Sequence, residues 1–230
     1  MGEPMLELVN VTAGYGRSMV LHDVSMTVPL GGGVALMGHN GAGKTTLLRV
    51  AVGLLPVRSG NVLLDGEDVT KVRPNARVRR GLGYVPQGQL CFPQMTTLEN
   101  LQLVTSVKSE IDEVLDTFPA LRDLLPRRAG LLSGGQRQQL SIARTLLTKP
   151  RMLILDEPTE GIQPNVVAEI ERVISELTQR GDLSVLLVEQ HVGFALRATD
   201  RYYVLESGRV AADGDGGAGA IDAVRDAMAV

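Results

Sequence analysis

Residues 34–46 read VALMGHNGAGKTT: a short apolar run, a glycine-rich loop, then Lys44 and Thr45. The apolar run is typical of a strand buried on both faces. Glycines allow positive φ and close backbone approach, so successive N–H groups can point at phosphate oxygens. A lysine there reaches the β- and γ-phosphates, and a threonine offers its hydroxyl to Mg²⁺. The stretch therefore predicts a P-loop between a buried strand and a helix over 46–55.

The phosphates of a nucleotide would lie along this loop and at the start of the helix that follows it. A helix N-terminus adds the positive end of its dipole to the N–H groups of the loop. The residues that we predict to bind the nucleotide here are Gly38, His39, Asn40, Gly41, Ala42, Gly43, Lys44, Thr45 and Thr46.

A second motif, MLILDE at 152–157, is an apolar strand that ends in two carboxylates. Buried strands seldom end in this way unless they serve a cation or a reaction. We predict that Asp156 holds Mg²⁺ through water, together with Thr45, and that Glu157 polarises the attacking water as general base. A P-loop alone does not separate kinases, GTPases and ATPases. The carboxylate pair favours nucleotide hydrolysis.

Composition limits the remaining classes of protein. The chain has 230 residues and a net charge of −3, and its 44% apolar and 21% charged residues are ordinary for a globular protein. The length suits one large domain or one domain with a subdomain. No apolar run approaches the roughly 18 residues that span a bilayer. Residues 1–5, MGEPM, lack the pattern of a secretory signal. A single cysteine, Cys91, favours a reducing compartment, and the mild acidity does not support nucleic-acid binding.

Strand and helix patterns alternate along the chain, which predicts an α/β fold with a largely parallel sheet. Beside the segments above, we predict a strand at 184–188 and helices at 96–107, 110–118, 136–148, 164–180 and 192–198. The first of these helices opens with a capping box, Thr96 to Glu99. Residues 213–219, DGDGGAG, predict a flexible linker. The segment after it is either a short helix with Ile221, Val224 and Met228 on one face or a frayed tail.

A third motif, LSGGQ at 132–136, places a serine hydroxyl and glycine N–H groups at a helix start, a second anion site. LSGGQ resembles the signature motif of the ABC-type ATPases. Together with the P-loop and the Asp156–Glu157 strand, it makes the chain similar to that family over about residues 5 to 210. The resemblance implies an α/β P-loop NTPase (RecA-like) core with an antiparallel β subdomain and a helical signature subdomain. The implied division of the single domain 1–230 is a core at about 1–88 and 146–210, a helical subdomain at about 89–145, and a glycine-rich linker and tail at 211–230.

The resemblance also implies a head-to-tail dimer with ATP and Mg²⁺ between the P-loop of one subunit and the signature of the other. The signature residues that would bind the neighbour's nucleotide are Ser133, Gly134, Gly135 and Gln136. Tyr15 is similar to the aromatic residue that stacks on adenine, with simple packing as the alternative. Gln87 is similar to the glutamine that senses Mg²⁺ and the attacking water and joins the core to the helical subdomain.

Two positions depart from the family pattern. Gln163 stands where the family usually has an aspartate, which puts communication across the dimer through that carboxylate in doubt. The switch histidine of the family, which contacts the γ-phosphate, corresponds to Gln190, with His191 one residue later as the alternative. Adjacent residues after a strand need not point the same way.

A transporter of this family needs a permease, which would be a separate polypeptide here. The segment 89–101, with Leu90, Phe92 and Met95, corresponds to the region that receives the permease, although core packing is an alternative for these residues. The dimer mate would be an identical or a different ATPase subunit, and an extracytoplasmic solute-binding protein would act indirectly. The predicted location is cytoplasmic, at the inner face of the membrane.

Three segments resemble the ATPases of the branched-chain amino acid and urea importer group: YVPQG at 84–88, EGIQP at 160–164 and LVEQ at 187–190. EGIQP, with RGD at 180–182, is most similar to the second ATPase of urea importers. The sequence thus predicts an ATP-hydrolysing importer subunit for a small polar solute, urea, with branched-chain amino acids as the alternative. A soluble ABC ATPase acting on DNA or ribosomes, and a P-loop kinase, are more distant alternatives.

Overall fold

The computed structural model describes residues 3–228, in which two sheets pack against eight α-helices. Residues 1, 2, 229 and 230 of the predicted domain lie outside the described residues. The strands are β1 Pro4–Tyr15, β2 Ser18–Pro29, β3 Gly33–Met37, β4 Ser59–Leu64, β5 Glu67–Asp68, β6 Leu82–Val85, β7 Met152–Asp156, β8 Ser184–Val188, β9 Arg201–Glu206 and β10 Arg209–Asp215. The helices are α1 Lys44–Ala51, α2 Pro74–Val78, α3 Thr97–Gln102, α4 Lys108–Thr117, α5 Gly134–Leu146, α6 Pro164–Gln179, α7 Val192–Ala198 and α8 Ile221–Met228.

The larger sheet has the strand order β10-β9-β3-β8-β7-β6, and all its pairings are parallel except the one between β9 and β10. Every residue of β3, β7 and β8 is buried, because helices or the second sheet cover both faces of these strands. The predicted α/β fold with an antiparallel β subdomain is confirmed.

This topology brings the predicted motifs together. Strands β3, β8 and β7 are parallel neighbours, with Leu36 and Asp156 both in register with Val188. The carboxyl ends of parallel strands lie at one edge of a sheet, where ligands bind in open α/β folds. The loops after these three strands therefore meet at that edge.

The second sheet is antiparallel, in the order β2-β1-β4-β5. In β2, buried Val24, Met26 and Val28 alternate with less buried neighbours, as a sheet with one covered face requires. These residues share a core with α1 and one face of the larger sheet. A second core packs α4, α5 and α6 against the opposite face.

Helix α1 covers 44–51 rather than the predicted 46–55. The buried Arg77 guanidinium ends it, because Arg77 Nη1 donates to the carbonyls of Val50 at 2.9 Å and Ala51 at 2.7 Å. Gly53 follows with a φ of 83°, which other residues rarely adopt. Burial lowers the pKa of Arg77 to about 10, so the side chain stays charged at neutral pH.

The capping box predicted at Thr96 is confirmed. Thr96 Oγ1 accepts from the backbone N–H of Glu99 at 3.1 Å, and Glu99 Oε2 accepts from that of Thr96 at 2.7 Å. The helix ends at Gln102, however, short of the predicted 107, and a new helix begins at Lys108.

The prediction of a flexible linker at 213–219 is wrong for its first part. Asp213 and Gly214 belong to β10 and pair with Tyr203 and Tyr202 of β9. A side chain at Gly214 would come within 3.0 Å of the Tyr202 ring, so the glycine serves close packing. The helical alternative for the tail is confirmed, because α8 buries Val224 completely in a third core with α7 and β9. Within residues 3–228, no helix is both long and apolar enough to cross a membrane.

Candidate functional site

The loop after β3 borders a cavity of about 420 Å³ at the carboxyl edge of the larger sheet. Gly41 and Gly43 have φ values of 83° and 108°, as the sequence predicted for a loop that turns its N–H groups toward a ligand. Gly38 cannot carry a side chain, because a Cβ would lie 2.2 Å from the Leu205 carbonyl oxygen. The cavity is lined by Val20, Asn40, Gly41, Gly43, Lys44, Thr45, Thr46, Gln87, Glu157 and Glu160.

Lys44 lies folded under the loop and is 6% exposed. Its Nζ donates to the carbonyls of Gly38 at 2.8 Å and His39 at 3.1 Å. The same atom is 3.7 Å from Glu157 Oε1. The loop thus carries a positive charge that is already oriented between its own carbonyls and the carboxylate.

Asp156 ends β7 and is 2% exposed. Burial, with the neighbouring charge of Glu157, raises the pKa of Asp156 to about 6, although Lys44 opposes the shift. Tyr84 Oη donates to Asp156 Oδ2 at 3.4 Å. Burial, and then the charge of Asp156, raises the pKa of Tyr84, so the phenol remains a donor. Asp156 is therefore a carboxylate that gains from a nearby cation.

Glu157 occupies the left-handed region with a φ of 46°, which is uncommon outside glycine and costs strain. Its backbone N–H donates to the Val188 carbonyl at 2.9 Å, which holds the turn against β8. Its carboxylate accepts from Gln87 Nε2 at 3.2 Å and from Gln190 Nε2 at 2.9 Å. Two amides and Lys44 thus surround the Glu157 side chain.

The structure separates Gln190 from His191. The Gln190 amide lies 2.9 Å from Glu157 Oε1 and also donates to Asn40 Oδ1 at 3.2 Å, so it spans the P-loop and the carboxylate. His191 is exposed at the start of α7, and in the described part of the chain its imidazole has no hydrogen-bond partner. Gln190 is the residue of the pair that faces the site.

Two acidic residues of this region were missed by sequence reasoning. Glu160 lines the cavity, and its carboxylate accepts from Gln87 Nε2. Glu189 follows β8 and is 3% exposed, with hydrogen bonds to the loop after Glu157. The signal that revealed Asp156, a carboxylate ending a buried strand, was also present at Glu189.

Tyr15 and His39 lie at the margins. Tyr15 does not line the P-loop cavity: it is 44% exposed on the β1–β2 turn, where Arg49 of α1 donates to its hydroxyl at 3.1 Å. His39 is exposed, and its Nε2 donates to the backbone carbonyl of Met228 at the end of α8. The tail therefore reaches the P-loop, which the sequence did not indicate.

The signature residues do not contribute to the cavity lined by the P-loop of the same chain. Ser133 caps α5, with its Oγ accepting from the Gln136 N–H at 3.3 Å and its own N–H donating to Gln136 Oε1 at 2.9 Å. Gly135 is buried against α6, where a Cβ would lie 2.5 Å from Val166 Cγ1. Gly135 is thus required by packing, in addition to its predicted role in an anion site.

Gln163 is the N-cap of α6, but its side chain makes no capping hydrogen bond within the described residues. It is exposed on the loop that follows Glu157. The position that usually carries an aspartate in the resembling family therefore presents a neutral amide at the surface.

The oxygen donors around the cavity fit Mg²⁺ and a nucleotide. Thr45 is exposed at the start of α1, and Asp156 and Gln87 approach from the neighbouring strand ends. Mg²⁺ in such sites takes one or two protein oxygens together with phosphate oxygens and waters. The residues present can supply that share.

Comparisons with known proteins identify the family and the fold. A family model described as "ABC transporter" matches residues 21–160. The high-affinity branched-chain amino acid transport ATP-binding protein BraG of Pseudomonas aeruginosa is 39% identical over 212 residues, covering 90% of this chain and 91% of BraG. The probable branched-chain amino acid transport ATP-binding protein LivF of Archaeoglobus fulgidus is 41% identical over 216 residues, covering 91% and 92%. A crystal structure of a nucleotide-free ATP-binding cassette superposes with a TM-score of 0.85 at 27% identity, covering 99% of this chain and 96% of that one.

Proposed function

Because this chain belongs to the ABC transporter family of ATP-binding cassettes, whose members hydrolyse ATP, we propose that it is the ATPase subunit of a branched-chain amino acid importer. BraG and LivF, at 39% and 41% identity over most of the chain, carry that solute class in their names. These relatives support branched-chain amino acids, the alternative solute predicted from the sequence, and give no support to urea.

One observation carries the hydrolytic role: residues from four separate chain segments meet in or beside the P-loop cavity, at one edge of the larger sheet. The P-loop, Gln87, the Asp156–Glu157 turn and Gln190 lie at the same sheet edge, within hydrogen-bond reach of one another. A phosphate-binding loop facing a held carboxylate is the arrangement that nucleotide hydrolysis requires.

Each group has a distinct part in the proposed reaction. The loop N–H groups and Lys44 bind the β- and γ-phosphates. Thr45, Asp156 and Gln87 would hold Mg²⁺, which neutralises phosphate charge when bound. Glu157 accepts the proton of the attacking water, and the amides of Gln87 and Gln190 keep its carboxylate directed at the cavity.

The signature supports assembly with a second ATPase subunit. Proteins of this family work as dimers with membrane permease subunits. Since Ser133 to Gln136 lie outside the cavity of their own chain, we place them at the nucleotide of the dimer mate, which is an identical or a different subunit.

The permease would dock on the segment 89–101. Leu90 is 55% and Phe92 51% exposed, so the alternative of core packing does not describe them. The Arg144 guanidinium lies 5.1 Å from the centre of the Phe92 ring and supports it at the surface. This assembly would hold the chain at the inner face of the membrane, with a solute-binding protein acting on the other side.

Uptake into vesicles tests the solute. The chain is reconstituted with its permeases in proteoliposomes, and ATP-dependent movement of leucine and of urea is measured. We expect leucine movement and none of urea, with a complex carrying Glu157→Gln as the matched inactive control. Urea movement, or leucine movement that survives in the control, would contradict the proposal.

A further inference from the structure

Glu189 is a buried side chain to which the proposed reaction assigns no part. It follows β8, lies next to Gln190 in sequence and is 3% exposed. A buried carboxylate is costly unless hydrogen bonds compensate for its lost hydration. Its surroundings therefore show what it is placed to do.

Four donors converge on this carboxylate. Oε1 accepts from the Thr159 hydroxyl at 2.6 Å and from the Thr159 N–H at 3.3 Å. Oε2 accepts from the N–H of Gln190 at 3.0 Å and from that of His191 at 3.3 Å. One side chain thus joins the loop that follows Glu157 to the loop that follows β8.

We propose that Glu189 is a positioning residue for ATP hydrolysis, which holds the Gln190 backbone so that the Gln190 amide stays on Glu157. The inference rests on the proposed roles of Glu157 and Gln190. Glu189 does not line the cavity, and both of its carboxylate oxygens already accept hydrogen bonds from protein groups, so it acts through its neighbours rather than on the substrate.

The chemistry of the four partners explains why a carboxylate is required. Three are backbone N–H groups that can only donate, and an ionised carboxylate is a side chain of this size that only accepts. A glutamine has the same shape, but its NH₂ group would face donors on one side. Glu189→Gln therefore breaks the hydrogen bonds at one oxygen while nearly preserving volume.

The test measures steady-state ATP hydrolysis by the full chain. For Glu189→Gln we expect kcat to fall about tenfold, with KM for ATP within about twofold, because the P-loop contacts are unchanged. If the role of Glu189 were purely structural, Glu189→Gln would lower the melting temperature without lowering kcat at a nearly constant KM. Normal kcat in a folded Glu189→Gln protein would overturn the proposal.

A double-mutant cycle tests the route through Gln190. If Glu189 acts by holding Gln190, then Glu189→Gln has little further effect on kcat in a Gln190→Ala background. Independent, multiplying losses would overturn the proposal. Wild-type and Glu157→Gln proteins serve as references, since turnover that survives in Glu157→Gln would overturn the base assignment instead.

Thr159→Val keeps the proposal testable if Glu189→Gln does not fold. This change removes one hydroxyl donor and retains shape and the carboxylate. We expect a loss of about threefold in kcat with unchanged KM, smaller than for Glu189→Gln, because three of the four donors to the Glu189 carboxylate remain. An unaltered kcat in Thr159→Val, where Glu189→Gln is unfolded, would overturn the role of this contact.

Discussion

The N-termini of helices α1 and α5 are both built from glycine and hydroxyl residues. They differ in how their first backbone N–H groups find hydrogen-bond partners. The start of α1 has Gly43 as N-cap at a φ of 108° and no side-chain cap. The start of α5 has a complete capping box between Ser133 and Gln136. A helix N-terminus leaves N–H groups without intrahelical partners, and the two helices answer that requirement differently.

The difference supports separate proposed roles for the two helix starts. The uncapped α1 faces a cavity that its own chain lines with Lys44 and Glu157, so one chain supplies both sides of that half-site. The α5 start is hydrogen-bonded from within its own segment, and among the described residues it does not line the P-loop cavity. This supports the proposal that the signature contacts the nucleotide of the dimer mate.

The largest effect is expected from Glu157→Gln, which should abolish ATP hydrolysis while leaving ATP binding at the N-terminus of α1 intact. Loss of a general base should lower kcat by about a thousandfold, while the loop still binds ATP. Phosphate release measures turnover, and size-exclusion chromatography with ATP should show a trapped dimer. Near-normal turnover would remove the base assignment.

A mixture of Lys44→Ala and Ser133→Arg subunits tests whether the two starts complete each other. Each variant alone should be inactive, the first without nucleotide binding and the second with a blocked signature. In a dimer of one Lys44→Ala subunit and one Ser133→Arg subunit, one of the two nucleotide sites has both an intact P-loop and an intact signature. Random mixing makes about half of the dimers mixed, so about one quarter of wild-type activity should be recovered.

This recovery is measured after cross-linking has shown that mixed dimers are present. Persistent inactivity in such dimers would mean that P-loop and signature do not form a shared site. Retained nucleotide affinity in Lys44→Ala would count against the P-loop assignment itself.

Gly135→Ala probes the packing of the α5 start. The added Cβ would lie 2.5 Å from Val166 Cγ1, a stiff side chain, so we expect the free energy of unfolding to fall by about 2 kcal/mol. Gly134→Ala is the matched control, because its nearest neighbour at 3.0 Å is the flexible end of Gln89. Adding Val166→Ala should restore only part of the loss, because the Val166 Cβ at 2.9 Å remains. Equal losses in both glycine variants would contradict the packing argument.

Asp156→Asn should give the smallest effect, in the protein without nucleotide or metal. The pKa of Asp156 rises from 3.8 to about 6 on folding, so the folded state binds more protons between these values and stability falls as pH rises through them. This rise of about two pKa units corresponds to about 3 kcal/mol at pH 8. The buried asparagine amide retains part of the desolvation cost, so replacing the carboxylate should raise the free energy of unfolding by about 1 kcal/mol. Urea denaturation at about pH 8 and pH 4.5 checks this, since the gain should shrink at the lower pH. A gain independent of pH would contradict it.

The parts of the site that sequence reasoning predicted are those whose chemistry lies in consecutive residues. The P-loop, the carboxylates at 156–157 and the signature each place their donors or charges within one short segment, so the spacing alone indicates the ligand. The capping box at Thr96 succeeded for the same reason. The linker prediction failed because glycine-rich composition does not reveal that Gly214 lies against the Tyr202 ring.

Chain order and residue type were thus enough to predict a phosphate site, a carboxylate pair and an α/β fold, because local geometry and burial patterns follow from adjacent residues. The sequence favoured Gln190 and left His191 as the alternative, and only the fold showed which of the two side chains contacts Glu157. Only the fold, too, buried Glu189 beside Thr159. Those outcomes depend on contacts between residues 30 to 150 positions apart and on the direction of each side chain after a strand end. No pattern along the chain records such a direction, since it is set by the neighbouring strand.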